Sequence, residues 1–167
     1  MADYSNMNSK ELIEEYTFVS TAAKKEIEAF MDKKMSDWEA LVKQKRAAQA
    51  KQWLEKFMEQ CRQWLIQLGQ INLAMDDAKT KAETAKKTLE YAQRSSRFVV
   101  ASGEIAKAES RIKDLDDTIT SCSQDIMSAD RARKRAEDIL EKIEELEKAE
   151  QEKANAYRYG YGRDDER

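Results

Sequence analysis

Two heptad repeats constrain this chain more than any other feature. From Leu54 the apolar positions recur at alternating steps of three and four: Leu54, Phe57, Cys61, Trp64, Leu68, Ile71, Met75, Ala78, Ala82, Ala85, Leu89, Ala92, Ser96 and Val99. Only Ser96 departs from an apolar a/d seam, so this stretch has to bury one stripe against another helix. A second seam follows: Ile105, Ala108, Ile112, Leu115, Ile119, Cys122, Ile126, Ala129, Arg133, Ala136, Leu140 and Ile143. Between Val99 and Ile105 the phase slips by two residues, neither of the insertions that a continuous coiled coil absorbs. Ser102 and Gly103 lie in that slip, and glycine supplies the left-handed conformation that ends helices. Glu104 suits the first turn of the next helix.

The rest of the composition agrees with long helices. There is no proline and only four glycines among 167 residues, and 38% of the chain is charged. Proline removes a helix donor and glycine adds unfolded-state entropy, so their scarcity favours uninterrupted helix. The fold class expected is all-α: a long antiparallel coiled-coil hairpin with an N-terminal helix folded back to make a three-helix base. Folding about Gly103 opposes Leu89 to Leu115, Ala85 to Ile119, Ala82 to Cys122 and Ala78 to Ile126, so that large meets small in most layers. Each arm is then a rod of about 75 Å at 1.5 Å per residue.

The boundaries follow from the same periodicity. Residues 1–8 are polar and expected to be disordered. Residues 9–156 form a single helical domain, with helices over about 9–34, 36–100 and 104–156 and a turn at 101–104. Leu12, Tyr16, Val19, Ala23, Ile27, Phe30 and Met31 mark the amphipathic first helix. Ser36 and Glu39 read as a capping box that opens the second. Folding back there places Ile27 by Val42 and Tyr16 by Trp53. The Tyr/Gly/Arg tail, 157–167, breaks the pattern and is expected to be disordered.

Several function classes are excluded or disfavoured. The chain contains no histidine, which removes the commonest general base and metal ligand. No phosphate-binding glycine loop or EF-hand is present. No catalytic, metal or cofactor-binding residue is therefore assigned, and no cofactor, small-molecule substrate or enzymatic activity is expected. Cys61 and Cys122 fall about 30 Å apart along the expected hairpin, too far for a disulfide, and read as small buried hydrophobes. The basic cluster Arg131 to Arg135 is flanked by Asp130, Glu137 and Asp138, so nucleic acid is a remote partner. The longest apolar run, Phe98 to Ala101, is far too short for a membrane span. The polar start carries no secretory signal, and a cytoplasmic setting is expected, with signal-less export or virion packaging left open.

What remains is contact with other proteins. Leu65, Ile66, Leu73, Met127 and Ile139 lie outside the seam and beyond the reach of the first helix, which predicts an oligomer interface. Arg94, Arg97, Phe98, Val99 and Val100 sit at the expected tip, where a partner could dock. Tyr157, Tyr159 and Tyr161 supply a candidate tail contact. The function expected is that of a structural or adaptor protein, self-associating or part of a larger assembly such as a secretion or phage-type particle. The alternative is a regulator or inhibitor that inserts its helical rod or tip into a partner machine.

Overall fold

The structure, a computed structural model, describes residues 3–95 and 102–165, with side chains to Tyr157. A 3₁₀ turn, Tyr4–Asn6, precedes four α-helices: α1 (Ser9–Asp32), α2 (Met35–Lys43), α3 (Ala47–Arg94) and α4 (Ser102–Asp165). No strand occurs among the described residues. The all-α expectation holds, with one more helix than the periodicity predicts.

The N-terminal segment, expected to be disordered, is organised. Asp3 caps the 3₁₀ turn by accepting the Ser5 N–H at 3.1 Å, Tyr4 is buried, and Gln67 Nε2 lies 3.3 Å from the Tyr4 hydroxyl. An apolar ring with a polar tip can anchor a short polar segment in this way. A capping box then opens α1: Asn8 Oδ1 accepts the Glu11 N–H at 2.9 Å and Glu11 Oε1 accepts the Asn8 N–H at 3.3 Å.

The opening of α2 and its end depart from the sequence reading. Lys34, not Ser36, stands at the N-cap, and the Asp37 carboxylate accepts the Lys34 N–H at 3.0 Å. The helix expected to run through 36–100 is broken at Gln44–Arg46. Lys45 takes φ of 61°, its N–H bonds to Val42 O at 3.0 Å, and the Arg46 N–H reaches Leu41 O at 2.8 Å. Those two bonds are a Schellman motif with lysine in the left-handed position that glycine usually fills. Nothing in the side chains advertises it, which is why periodicity misses the break.

The chain divides into two compact units, one of Met1–Glu26 with Gln63–Ala129 and one of Ile27–Arg62 with Asp130–Arg167. In the first, side-chain pairs step regularly from α3 to α4: Asn72 Nδ2 to Ser123 Oγ at 3.4 Å, Lys79 Nζ to Asp116 Oδ1 at 2.8 Å, and Lys86 Nζ to Glu109 Oε1 at 3.4 Å. Each step of seven forward along α3 is matched by a step of seven backward along α4. Beneath this ladder Leu68, Ile71, Met75, Ala82, Leu115 and Cys122 are buried. The layers differ from those expected. The Cys122 thiol meets the Leu68 carbonyl at 3.4 Å, and Leu68 is about 21 Å along α3 from the expected neighbour Ala82. The reason lies at the turn. Ser102 and Gly103 begin α4, and no glycine among the described residues has positive φ. Gly103 starts a helix instead of ending one, so part of the expected turn at 101–104 is already helical.

In the second unit the core is aromatic. Phe30 and Trp38 are fully buried, and Phe30 packs on Phe57 at 4.3 Å and on Trp53 at 5.9 Å between ring centroids. Phe30, not the expected Tyr16, is therefore the α1 residue beside Trp53. The extra corner between α2 and α3 brings Trp38 and Trp53 to 5.6 Å. From α4, Arg135 donates to the Lys33 carbonyl at 3.0 Å, which satisfies a helix-end acceptor of α1. Leu54, Cys61, Ala132, Ala136 and Ile143 complete this core. At its far end α4 continues as helix to Asp165, past the expected limit at 156.

A candidate protein-docking face

The best-defined surface begins with how α1 is held in the first unit. Asp125 is buried, and both the Tyr16 and Ser20 hydroxyls donate to its Oδ2, Ser20 at 2.7 Å. Lys24 Nζ approaches Oδ1 at 3.7 Å. Tyr16, Ser20 and Lys24 lie at helical spacing on one face of α1, so one carboxylate fixes that face against α4. Burial, and then the hydrogen bond donated to Asp125, push the Tyr16 hydroxyl up to about 12. Burial foremost, with the Asp125 charge second, raises the Cys122 thiol to about 11. It stays protonated at neutral pH and is a poor nucleophile. Both cysteines are buried and free of disulfide.

Pinning α1 on the Asp125 side leaves the other side of α4 open. Met127 is two residues on, about 200° around the helix from Asp125, and is 55% exposed. Ile119, Ser123 and Met127 recur every four residues on that open side. Across from them α3 presents Leu65, Ile66, Gly69, Asn72 and Leu73. Ile66 is 50% exposed and Leu73 74%, with Leu65 half-buried. Together with Ile119 and Asp76 they line a groove of about 580 Å³. Asn72 Oδ1 is buried there with no hydrogen-bond partner. Contiguous exposed apolar surface of this kind marks an interaction site more often than chance packing.

No family model matches the chain, nor does any curated protein or solved structure.

The remaining sequence-predicted positions fare differently. Leu65, Ile66, Leu73 and Met127 all belong to the first unit, and the latter three are exposed. Ile139 does not belong to this face: it is 4% exposed in the second unit. One turn away from it Arg135 grips the Lys33 carbonyl, so the α1–α2 corner lies against this stretch of α4. Arg94 is exposed and lies 3.9 Å from Glu90. The other tip positions, Arg97, Phe98, Val99 and Val100, fall outside the described residues. Tyr157 is exposed on α4, and the side chains of Tyr159 and Tyr161 are likewise outside the description. Arg133, the charged seam residue, is held between Asp130 at 3.0 Å and Glu137 at 2.7 Å on its own helix.

Two features escaped sequence reasoning. The Tyr16–Ser20–Asp125 cluster is one: the hydroxyls read as ordinary seam and surface positions, and the acid as one carboxylate among many. Gly69 is the other, a glycine in the middle of α3 whose position on the open face only the structure reveals. Among the described residues no helix is long and apolar enough to cross a membrane, and no group of three His, Cys, Asp or Glu could hold a metal.

Proposed function

We propose that this chain is a non-enzymatic structural or adaptor protein that works through protein–protein contacts. In this reading α3 and α4 form an antiparallel coiled-coil hairpin, and α1 folds back on it as the third helix of a base. It serves in a larger assembly, such as a secretion or phage-type particle, and associates with itself. A cytoplasmic setting, or export and packaging without a signal, accords with that role.

The observation that carries the reading is the exposure of Ile66 and Leu73 along one groove of the first unit, with Met127 exposed on α4 of the same unit. Burying such side chains stabilises a complex by roughly 1.5–3 kcal/mol each before association costs. The ladder of α3–α4 contacts at steps of seven supports the hairpin, since a/d seams repeat with that period.

The test is a charge placed in the groove. Leu73→Glu, at a position already 74% exposed, should leave helicity and melting temperature nearly unchanged. It should abolish association, read by light scattering across concentrations and by pull-down from the native host. Intact association and intact partner capture in both Leu73→Glu and Ile66→Glu would sink the reading. A wild-type chain that stays monomeric at every concentration, yet captures a partner through its tip, favours the regulator or inhibitor reading.

A further inference from the structure

Gly69 has no explanation within its own chain. It sits in the middle of the 48-residue helix α3, where glycine is the worst helix former after proline. Mid-helix glycines usually serve a close approach of another backbone. Here a Cβ built on Gly69 meets nothing within 4 Å. No neighbour among the described residues requires the glycine, and the space above it opens into the groove lined by Leu65, Ile66, Asn72 and Leu73. Whatever needs that space is not part of this chain's own packing.

The side chains around Gly69 say what it is. At 100° per residue the face centred on Gly69 contains Leu65 and Leu73, four residues to either side, and Ile66 and Asn72, three to either side. Seven residues to either side on the same helix face lie Arg62 and Asp76. The face is thus apolar at its centre save for Asn72, which stands where Ile66 does on the other side of the glycine, and it ends in Arg62, paired with Glu59 of its own helix at 3.3 Å, and in Asp76. Two such faces laid antiparallel set the Leu65 of each beside the Leu73 of the other, and each Arg62 beside the other's Asp76. A parallel pairing would instead set Arg62 against Arg62 and Asp76 against Asp76. The first arrangement is self-complementary in the sense that a two-fold interface demands.

We infer that the occupant of the groove is a second copy of this chain, its α3 antiparallel to the first, with the two-fold axis passing at Gly69. This rests on the protein-contact reading above and names its partner. The missing side chain at Gly69 lets the two helices approach closely, as small residues do at other helix crossings. Met127 then extends the apolar contact onto α4 from each copy.

Two measurements test it in the full-length chain. Gly69→Ala removes a helix-breaking residue and should raise the melting temperature at dilutions where the protein is monomeric. The same methyl group should weaken the dimer at least tenfold by sedimentation equilibrium. If dimerisation were unchanged or strengthened while the monomer gained stability, the inference would fail. The second measurement uses cysteines in a Cys61→Ala, Cys122→Ala background that retains wild-type helicity. Cross-linking under mild oxidation reads out which positions face each other, since a disulfide requires Cα atoms within about 7 Å. A mixture of Leu65→Cys and Leu73→Cys chains should yield the mixed species at least fivefold over either homodimer. Leu73→Cys homodimers forming as fast as the mixed species would overturn the antiparallel arrangement. A wild-type chain that remains monomeric at every concentration, while Leu73→Glu still abolishes capture of a different protein, overturns the second copy and leaves the docking face standing.

Discussion

The two compact units secure their helices by different physical means. In the first, α1 is held by hydroxyls converging on one buried carboxylate, Tyr16 and Ser20 on Asp125. In the second, the α1–α2 corner is held by ring packing among Phe30, Trp38, Trp53 and Phe57. Hydrogen bonds to a charged group are directional and expensive to leave unmade. Ring packing is worth more in area but tolerates small displacements. The first unit should therefore be the more exacting about register, and the second the larger contributor to stability. The first also keeps one face apolar and open, whereas the corresponding candidate in the second, Ile139, is buried.

That contrast can be broken or sharpened by substitution. Phe30→Ala, which empties the centre of the aromatic cluster, should cost about 3–5 kcal/mol in urea denaturation, the largest single effect expected. A loss under 1 kcal/mol would mean the rings do not carry the second unit. Asp125→Ala leaves two buried hydroxyls without their acceptor and should cost about 1–3 kcal/mol. Hydrogen exchange should report that loss in α1 up to Glu26 and not at Phe30. Asp125→Asn keeps an acceptor and should recover most of it.

The same cluster makes a pH prediction. The Tyr16 hydroxyl is held at about 12 in the fold, against about 10 for an unperturbed tyrosine. Its contribution is complete below pH 10 and is lost as pH rises from 10 to 12. Ultraviolet titration should find one tyrosine ionising near 12, and Tyr16→Phe should remove it. The smallest effect is expected at the corner of the second unit. Lys45→Gly relieves a left-handed lysine and should stabilise by about 1 kcal/mol. Any destabilisation there would contradict the Schellman geometry.

Much of the helical content was legible from the chain alone. The spacing picks out Leu12, Tyr16, Val19, Ala23 and Phe30, which are buried, but also Ile27, which is half-buried, and Met31, which is 38% exposed; the seams pick out the buried Leu54, Leu68, Ile71, Met75, Leu115 and Ile143. Periodicity does not determine axial register, because a heptad seam looks the same after sliding by seven. The register inferred from size matching hung on the turn, and Gly103 was read as a terminator when it lies in the first turn of α4. A glycine near a helix end is compatible with either side of the boundary. The break at Lys45 carries no glycine, asparagine or proline, so no local propensity announces it. The open apolar face was half legible: Leu65, Ile66, Leu73 and Met127 were nominated for lying off the seam, and the latter three are exposed. Ile139 was nominated on the same ground and is buried: the fold-back between α1 and α2 was expected, but its reach to Arg135, one turn from Ile139, was not.

The antiparallel register of α3 against α4 underlies both the proposed hairpin and the open face. It is most directly measured by spin-label distances in full-length chains diluted with unlabelled protein, comparing labels at Lys79 and Asp116 with labels at Lys79 and the exposed Gln124. The contact of 2.8 Å between Lys79 and Asp116 predicts the shorter distance for the first pair, by about 12 Å of axial offset over eight residues. A shorter distance between positions 79 and 124 would restore the register in which Cys122 faces Ala82, and would contradict the ladder on which the open face is built.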